Sequence, residues 1–197
     1  MILTLQEQDT LTRLLEMGVV RASERLGKMS HTEWGIMTST IKEIPPVRLL
    51  SWFSRNPGVH VGARFHSGAE IPLEVLTMFP EPSARSVAEA VTAPYAEKTS
   101  KIPNLVEVTI GEVSNILAQA LIGGLADEFD ALIILSVPEV KTGPKVHLLT
   151  KVLEDYDGRS DVLLMSHIEM YSENLSAECS MVAMANICTL RRLFERK

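Results

Sequence analysis

Aromatic residues make up only 5% of the 197 residues. Leu, Ile, Val, Ala and Met must therefore fill any core, and the apolar share of 46% is enough for one. Cysteine is nearly absent. Cys179 and Cys188 match no metal or redox spacing, so reduced thiols in or near the core of a cytoplasmic protein are expected. There is no run of about 18 apolar residues, and no membrane span is expected. The N-terminal MILTLQEQDTLTRLL has neither a basic start nor a long apolar run, so no targeting signal is expected. The formal charge is −6, from 25 acids and 19 bases. Bases cluster only at Arg191, Arg192, Arg196 and Lys197, which argues against nucleic acid as the main partner.

The usual catalytic signatures are missing as well. His31, His60, His66, His147 and His167 are dispersed, with no HExxH or comparable ligand spacing. His60 and His66, six apart, would share one face of a strand, which is not enough for a metal site. No glycine-rich phosphate loop and no G-x-S-x-G elbow occurs, so no metal or cofactor of the chain's own is expected. Trp34 and Trp52 read as core or interface residues, and the methionines at 165, 170, 181 and 184 as core filling.

What is present is order. Thr4 and Glu7 have capping-box spacing ahead of an apolar stripe, Leu11, Leu14, Leu15, Val19, Ala22 and Leu26, so a helix should start near Thr4 and end at Gly27. A strand over Gly35–Ile44 follows, then a short helix over Arg48–Ser54 and a turn at Asn56-Pro57-Gly58. Strands over Val59–His66 and Pro72–Phe79 and a helix over Ser83–Val91 complete the first half. Thr92–Pro103 is the linker candidate. The second half repeats the order: helix Leu105–Ala126, strand Ala131–Val137 stopping at Pro138, helix Val146–Glu154, turn Asp155–Arg159, strands Val162–Tyr171 and Ala177–Met184, and a basic helix Cys188–Arg196. A shift of 96 residues lays Glu16 on Glu112 and Gly27 on Gly123, which reads as an internal duplication of residues 1–95 and 104–197. The expected fold is α+β: a duplicated helix-plus-strands unit sharing one antiparallel sheet, with the long helices packed on it as a single domain.

At 100° per residue, Ile110, Val113, Leu117, Ala120 and Leu121 share the core face of the second long helix. Glu112, Asn115 and Gln119 form a compact polar stripe on the other side. A solvated helix face is the ordinary explanation of such a stripe. Yet asparagine is a weak helix former and Glu112 follows Gly111, so helix propensity did not choose this stretch. A carboxylate can pair with a partner's cation. An amide, with both donor and acceptor, can fix one water, and positioning is most of what phosphoryl hydrolysis requires.

Glu112-x-x-Asn115, followed after 22 residues by Pro138 within SVPEV, resembles the signature of the CheC/CheX/FliY family of chemotaxis phosphatases. The resemblance covers nearly the whole chain, since that fold is itself a duplicated helix-plus-strands unit. It implies that Glu112 pairs with the lysine of a CheY-like response regulator. It implies that Asn115 orients the water attacking the aspartyl phosphate, that the regulator supplies a bound Mg²⁺, and that Pro138 ends its strand. Two departures stand out. Val108 occupies the place of the usual Asp or Ser, and Val19 stands where the first copy would carry its asparagine. One active stripe is therefore expected, with the first helix a degenerate copy supporting the core. The departures keep open a second reading, a non-catalytic module docking a regulator or a flagellar or signalling partner, as in FliM, which has the fold without the activity. A third reading is an adaptor with no link to phosphorylation. The edge strands of a shared sheet would also allow a homodimer by strand exchange.

Overall fold

The computed structural model describes residues 3–53, 58–68, 71–154, 156 and 162–195. The elements are α1 (Leu5–Ser30), β1 (Gly35–Ile44), α2 (Pro46–Phe53), β2 (Val59–His66), β3 (Leu73–Pro80), α3 (Glu81–Thr92), α4 (Ala96–Thr99), α5 (Leu105–Glu128), β4 (Glu139–Pro144), α6 (Lys145–Leu153), β5 (Leu163–Ser172), β6 (Ala177–Asn186) and α7 (Ile187–Glu195). The linker candidate thus holds a 3₁₀ turn and the one-turn helix α4, with no buried residue in either. Most of the expected turns, 54–57 and 157–161, and the side chain of Trp52 lie outside the described residues.

The capping box at the start of α1 is in place. The Glu7 N–H donates to Thr4 Oγ1 at 3.3 Å, and the Thr4 N–H donates to Glu7 Oε2 at 2.6 Å. The end of α1 differs from expectation. The helix runs past Gly27 to Ser30, and His31, in the left-handed region at φ 53°, donates its N–H back to the Gly27 carbonyl. Gly27 is needed for another reason: a β-carbon there would lie 2.8 Å from the Thr32 carbonyl oxygen as the chain turns back.

One antiparallel six-stranded sheet has the order β1-β5-β6-β3-β2-β4. Each half's first strand leaves its own half: β1 pairs with β5, and β4 pairs with β2. The order reads the same from either edge when the strands of each half are numbered in sequence. In the four central strands β5, β6, β3 and β2 the residues alternate between two covered faces. On one face Ile168, Met170, Met181 and Phe79 meet α1, α3 and α5 through Val19, Leu26, Val87, Ile110 and Leu117. The same layer continues to α7 through Leu190 and Leu193. On the other face Met78, Met165, Val182 and Met184 meet α2 and α6 through Leu49, Leu149 and Val152. The four methionines of the last two strands are all core, as is Trp34, whose Nε1–H donates to Ser30 Oγ at 3.0 Å. Of the two thiols only Cys179 is buried; Cys188 is exposed at the start of α7, so the expectation of a near-core thiol fails there.

α5 is long and apolar enough to cross a membrane by composition, but 56% of its most apolar window is buried within the protein. Its packing against α1 is close because two glycines face across the contact. Gly18 lies against the backbone of Leu121, and Gly124 against that of Leu14.

The expected strand Ala131–Val137 is the main correction. Residues 131–138 carry only an isolated bridge, Leu135 with Ser67, and the ladder of β4 begins after Pro138 rather than stopping at it. β4 pairs with β2 in the register Glu139 to Arg64, whereas the bridge and the Ser136 N–H bond to the His66 carbonyl are offset by one residue. Proline has no N–H to donate to a ladder, so the extended segment breaks there. Pro138 is structural, but it divides the segment and precedes β4.

Candidate functional site on helix α5

The polar stripe is where the periodicity places it. Ile110, Val113, Leu117, Ala120 and Leu121 are buried in the core, whereas Glu112 and Gln119 are exposed and Asn115 is half-buried. Asn115 therefore keeps access to solvent while its base is held by the helix. The core side of α5 is also tied to the sheet, since Thr77 Oγ1 of β3 donates to the buried Ser114 Oγ at 2.6 Å. Gln119 Nε2 donates to Asn115 Oδ1 at 3.1 Å, one helical turn away.

The 22-residue spacing to Pro138 is a spatial contact. A β-carbon on Gly111 would lie 3.7 Å from the Pro138 ring and 3.0 Å from Val140 Cγ2. The chain leaving residues 131–137 thus passes over α5 beside Gly111, the residue immediately before Glu112. A larger residue at 111 would push this segment away from the stripe. Around the stripe the surface carries apolar side chains. Val108, one turn before Glu112, is 49% exposed, and Val137, next to Pro138, is 83% exposed. Ile133 and Leu135 turn inward to the core, while Leu132 and Ile134 face out.

The first helix offers no such stripe. Glu16 is exposed, but Val19 is 1% exposed and packs with Leu26, Ile110 and Leu117. Val19 is a core residue and neither its chemistry nor its position could hold a water. Position 42, where the first copy would carry its proline, is a ladder residue of β1 paired with Met165.

His60 and His66 share β2, yet differ: His60 is buried, with Nδ1 2.8 Å from the Gly58 carbonyl, and His66 is exposed. Burial holds the His60 imidazole below its ordinary pKa. His167 is lowered for the same reason, with Glu169 opposing the shift from 3.6 Å. Sequence reasoning gave no sign of a third buried group, Lys145. It starts α6, is 6% exposed, and sets its ammonium 5.8 Å from the centre of the Phe53 ring. Burial lowers its pKa too. Among the described residues no cluster of three or more His, Cys, Asp or Glu side chains could hold a metal.

Comparison with known proteins supports the fold and the family resemblance. Solved structures of FliY from Thermotoga maritima and of the FliM middle domain from H. pylori share the fold. FliY matches at 13% identity and a TM-score of 0.66, over 100% of this chain and 98% of that one. FliM matches at 6% identity and a TM-score of 0.62, over 99% and 100%. In sequence the chain is 20% identical over 192 residues to the Halobacterium salinarum protein named "Putative CheY-P phosphatase CheC1", covering 94% of this chain and 93% of that protein. No protein-family model matches the chain. The resemblance to the CheC/CheX/FliY family thus extends over the whole chain, in sequence to CheC1 and in fold to FliY.

Proposed function

We propose that this chain is a phosphatase acting on the aspartyl phosphate of a CheY-like response regulator. The observation that carries the reading is the uncovered pair on α5: Glu112 exposed and Asn115 half-buried, on a helix braced by the core below and by the Pro138–Val140 segment alongside. The name of the relative CheC1 supports the same kind of activity.

In this mechanism α5 enters the regulator's phosphorylation site. The Glu112 carboxylate pairs with the regulator's lysine and sets the register of docking. The Asn115 carboxamide holds a water in line with the phosphorus–oxygen bond. The water oxygen bonds to phosphorus, the bond to the aspartate oxygen breaks, and the aspartate leaves as a carboxylate. The proton released by the water ends on inorganic phosphate. The transition state is loose, so placing the water and excluding others supplies most of the help. A Mg²⁺ bound by the regulator would meet the charge on the phosphoryl oxygens.

The second reading is a non-catalytic docking module. Two observations favour it: the exposed apolar Val108 where the family signature has a polar residue, and the buried Val19 that removes the first copy from consideration. FliM of H. pylori, which shares the fold, has been crystallised in complexes with FliG and with SpeE.

Phosphate loss from a phosphorylated CheY-type receiver, followed with and without the chain and with Asn115→Ala, separates the two. Acceleration that the variant abolishes supports the phosphatase. Binding without acceleration supports the docking module. Neither, across the receivers of the host, leaves a likeness of fold alone.

A further inference from the structure

We infer that Gln119 is a positioning residue that fixes which way the Asn115 carboxamide faces; this rests on the phosphatase reading of the same stripe. The observation is the bond from Gln119 Nε2 to Asn115 Oδ1 at 3.1 Å. An asparagine side chain turns easily between two nearly equivalent orientations of its amide plane. Only one of them puts a given atom, oxygen or nitrogen, where an attacking water must be held. Gln119 lies one turn towards the C-terminal end of α5, so its bond draws Oδ1 that way. The amide is planar, so Nδ2 is then turned away from Gln119. Oδ1 has two lone pairs and gives one to Gln119. The other remains to accept a proton of the water, whose own lone pair is then free to face the phosphorus.

The sequence context makes this role specific to Gln119. Ile116, Leu117, Ala118 and Ala120 carry no side-chain donor, and the side chain at 112, one turn the other way, is a carboxylate that only accepts. In water an exposed amide pair of this kind contributes little. When a partner covers the helix and expels water, the same bond strengthens and constrains Asn115 at the moment of reaction.

The test compares Gln119→Ala and Gln119→Glu with the wild type in steady-state hydrolysis of a phosphorylated CheY-type receiver, alongside ¹⁵N relaxation of the Asn115 side-chain amide in each protein. Gln119→Glu keeps size and shape but has no donor at neutral pH, so Asn115 should turn its Nδ2 to the new carboxylate. The expected result is a kcat lower by roughly two- to tenfold in Gln119→Ala, the rate equivalent of one hydrogen bond, and lower again in Gln119→Glu. KM should stay within about twofold in Gln119→Ala, since docking is unchanged. The Asn115 amide should be more mobile in Gln119→Ala. A change confined to KM, or wild-type kcat in both variants, overturns the inference. So does an Asn115 amide equally ordered in wild type and Gln119→Ala, whatever the activity. Absence of any acceleration by the wild type has a different meaning: it removes the phosphatase reading, and with it any catalytic purpose for the bond.

Discussion

Asn115 is half-buried, with its amide bonded along the helix by Gln119. Replacing it by alanine removes the amide and leaves the core face of α5 untouched. Hydrolysis of receiver phosphate should fall on the order of a hundredfold, as expected when an attacking group loses its placement, while the melting temperature holds. Glu112 acts earlier in the proposed cycle. Glu112→Ala should raise KM roughly tenfold or more with a smaller effect on kcat, because a charge pair between docked proteins governs association; a loss in kcat alone would argue against the pairing. Val108 permits the reverse experiment. Its side chain is half-exposed in the first turns of α5, so Val108→Asp costs no core packing, and an acid near a helix N-terminus is favoured. If the missing polar residue limits the reaction, Val108→Asp should hydrolyse the receiver's phosphate a few-fold faster than the wild type.

Helix α5 is held against α1 by the absence of side chains as much as by their presence. A β-carbon on Gly18 would lie 2.6 Å from the Leu121 carbonyl oxygen and 3.0 Å from its Cα, both backbone atoms that cannot step aside. Gly18→Ala should therefore lower stability by about 1–3 kcal/mol through overpacking, outweighing the gain in helix propensity of up to about 1 kcal/mol. A β-carbon on Gly123, one turn past Gln119, would meet, among the described residues beyond its own stretch of helix, only the end of the Arg21 side chain at 3.9 Å. Gly123→Ala should realise the propensity gain and raise stability, and paired urea unfolding curves of the two variants test the contrast. The legibility of the sequence follows the same division. The faces of α1 and α5 could be read because a 3.6-residue period survives in Leu11 to Leu26 and Ile110 to Leu121, and that period also isolated Glu112, Asn115 and Gln119. β2, β3, β5 and β6 were legible as largely apolar runs, and β1 by its stop at Pro45-Pro46. β4 was not: Ala131–Val137 has the composition and alternation of a strand, but only Leu135 is bridged, to Ser67, ahead of the break at Pro138. The ladder forms only where Glu139–Pro144 reaches β2. Nor does a sequence say which glycine meets another backbone. Gly18 and Gly123 look alike in the chain and differ entirely in what lies opposite.

Across the molecule, the sheet carries a second set of polar groups on its α2 and α6 face. His167, Glu169, Ser180 and His60 stand on that face, with Lys145 at the start of α6 and Phe53 of α2 set edge-on against the His167 ring at 5.1 Å. His60 and His167 both have pKa values held below the ordinary histidine value, first by burial. Lys145 pushes both further down, and Lys42 does so at His167; the bond to the Gly58 carbonyl, and after it Glu178, opposes the shift at His60, and Glu169 opposes it at His167. The folded state thus holds these rings neutral to lower pH than the unfolded chain, which protonates them around pH 6.5. Because the unfolded state binds more protons in this window, the stability they contribute is complete above about pH 6.5 and is lost as the pH falls from there through the lowered folded values. Carboxylates such as Glu7, lowered by its bond to the Thr4 backbone, act only further down, below the ordinary value of 4.5. The melting temperature should therefore decline as the pH falls below about 6.5. His167→Leu, which keeps an apolar group against Phe53, should flatten the decline more than it lowers stability at neutral pH. An equally steep slope in His167→Leu and in a His60→Leu companion would mean that these two rings do not set the acid limit of the fold.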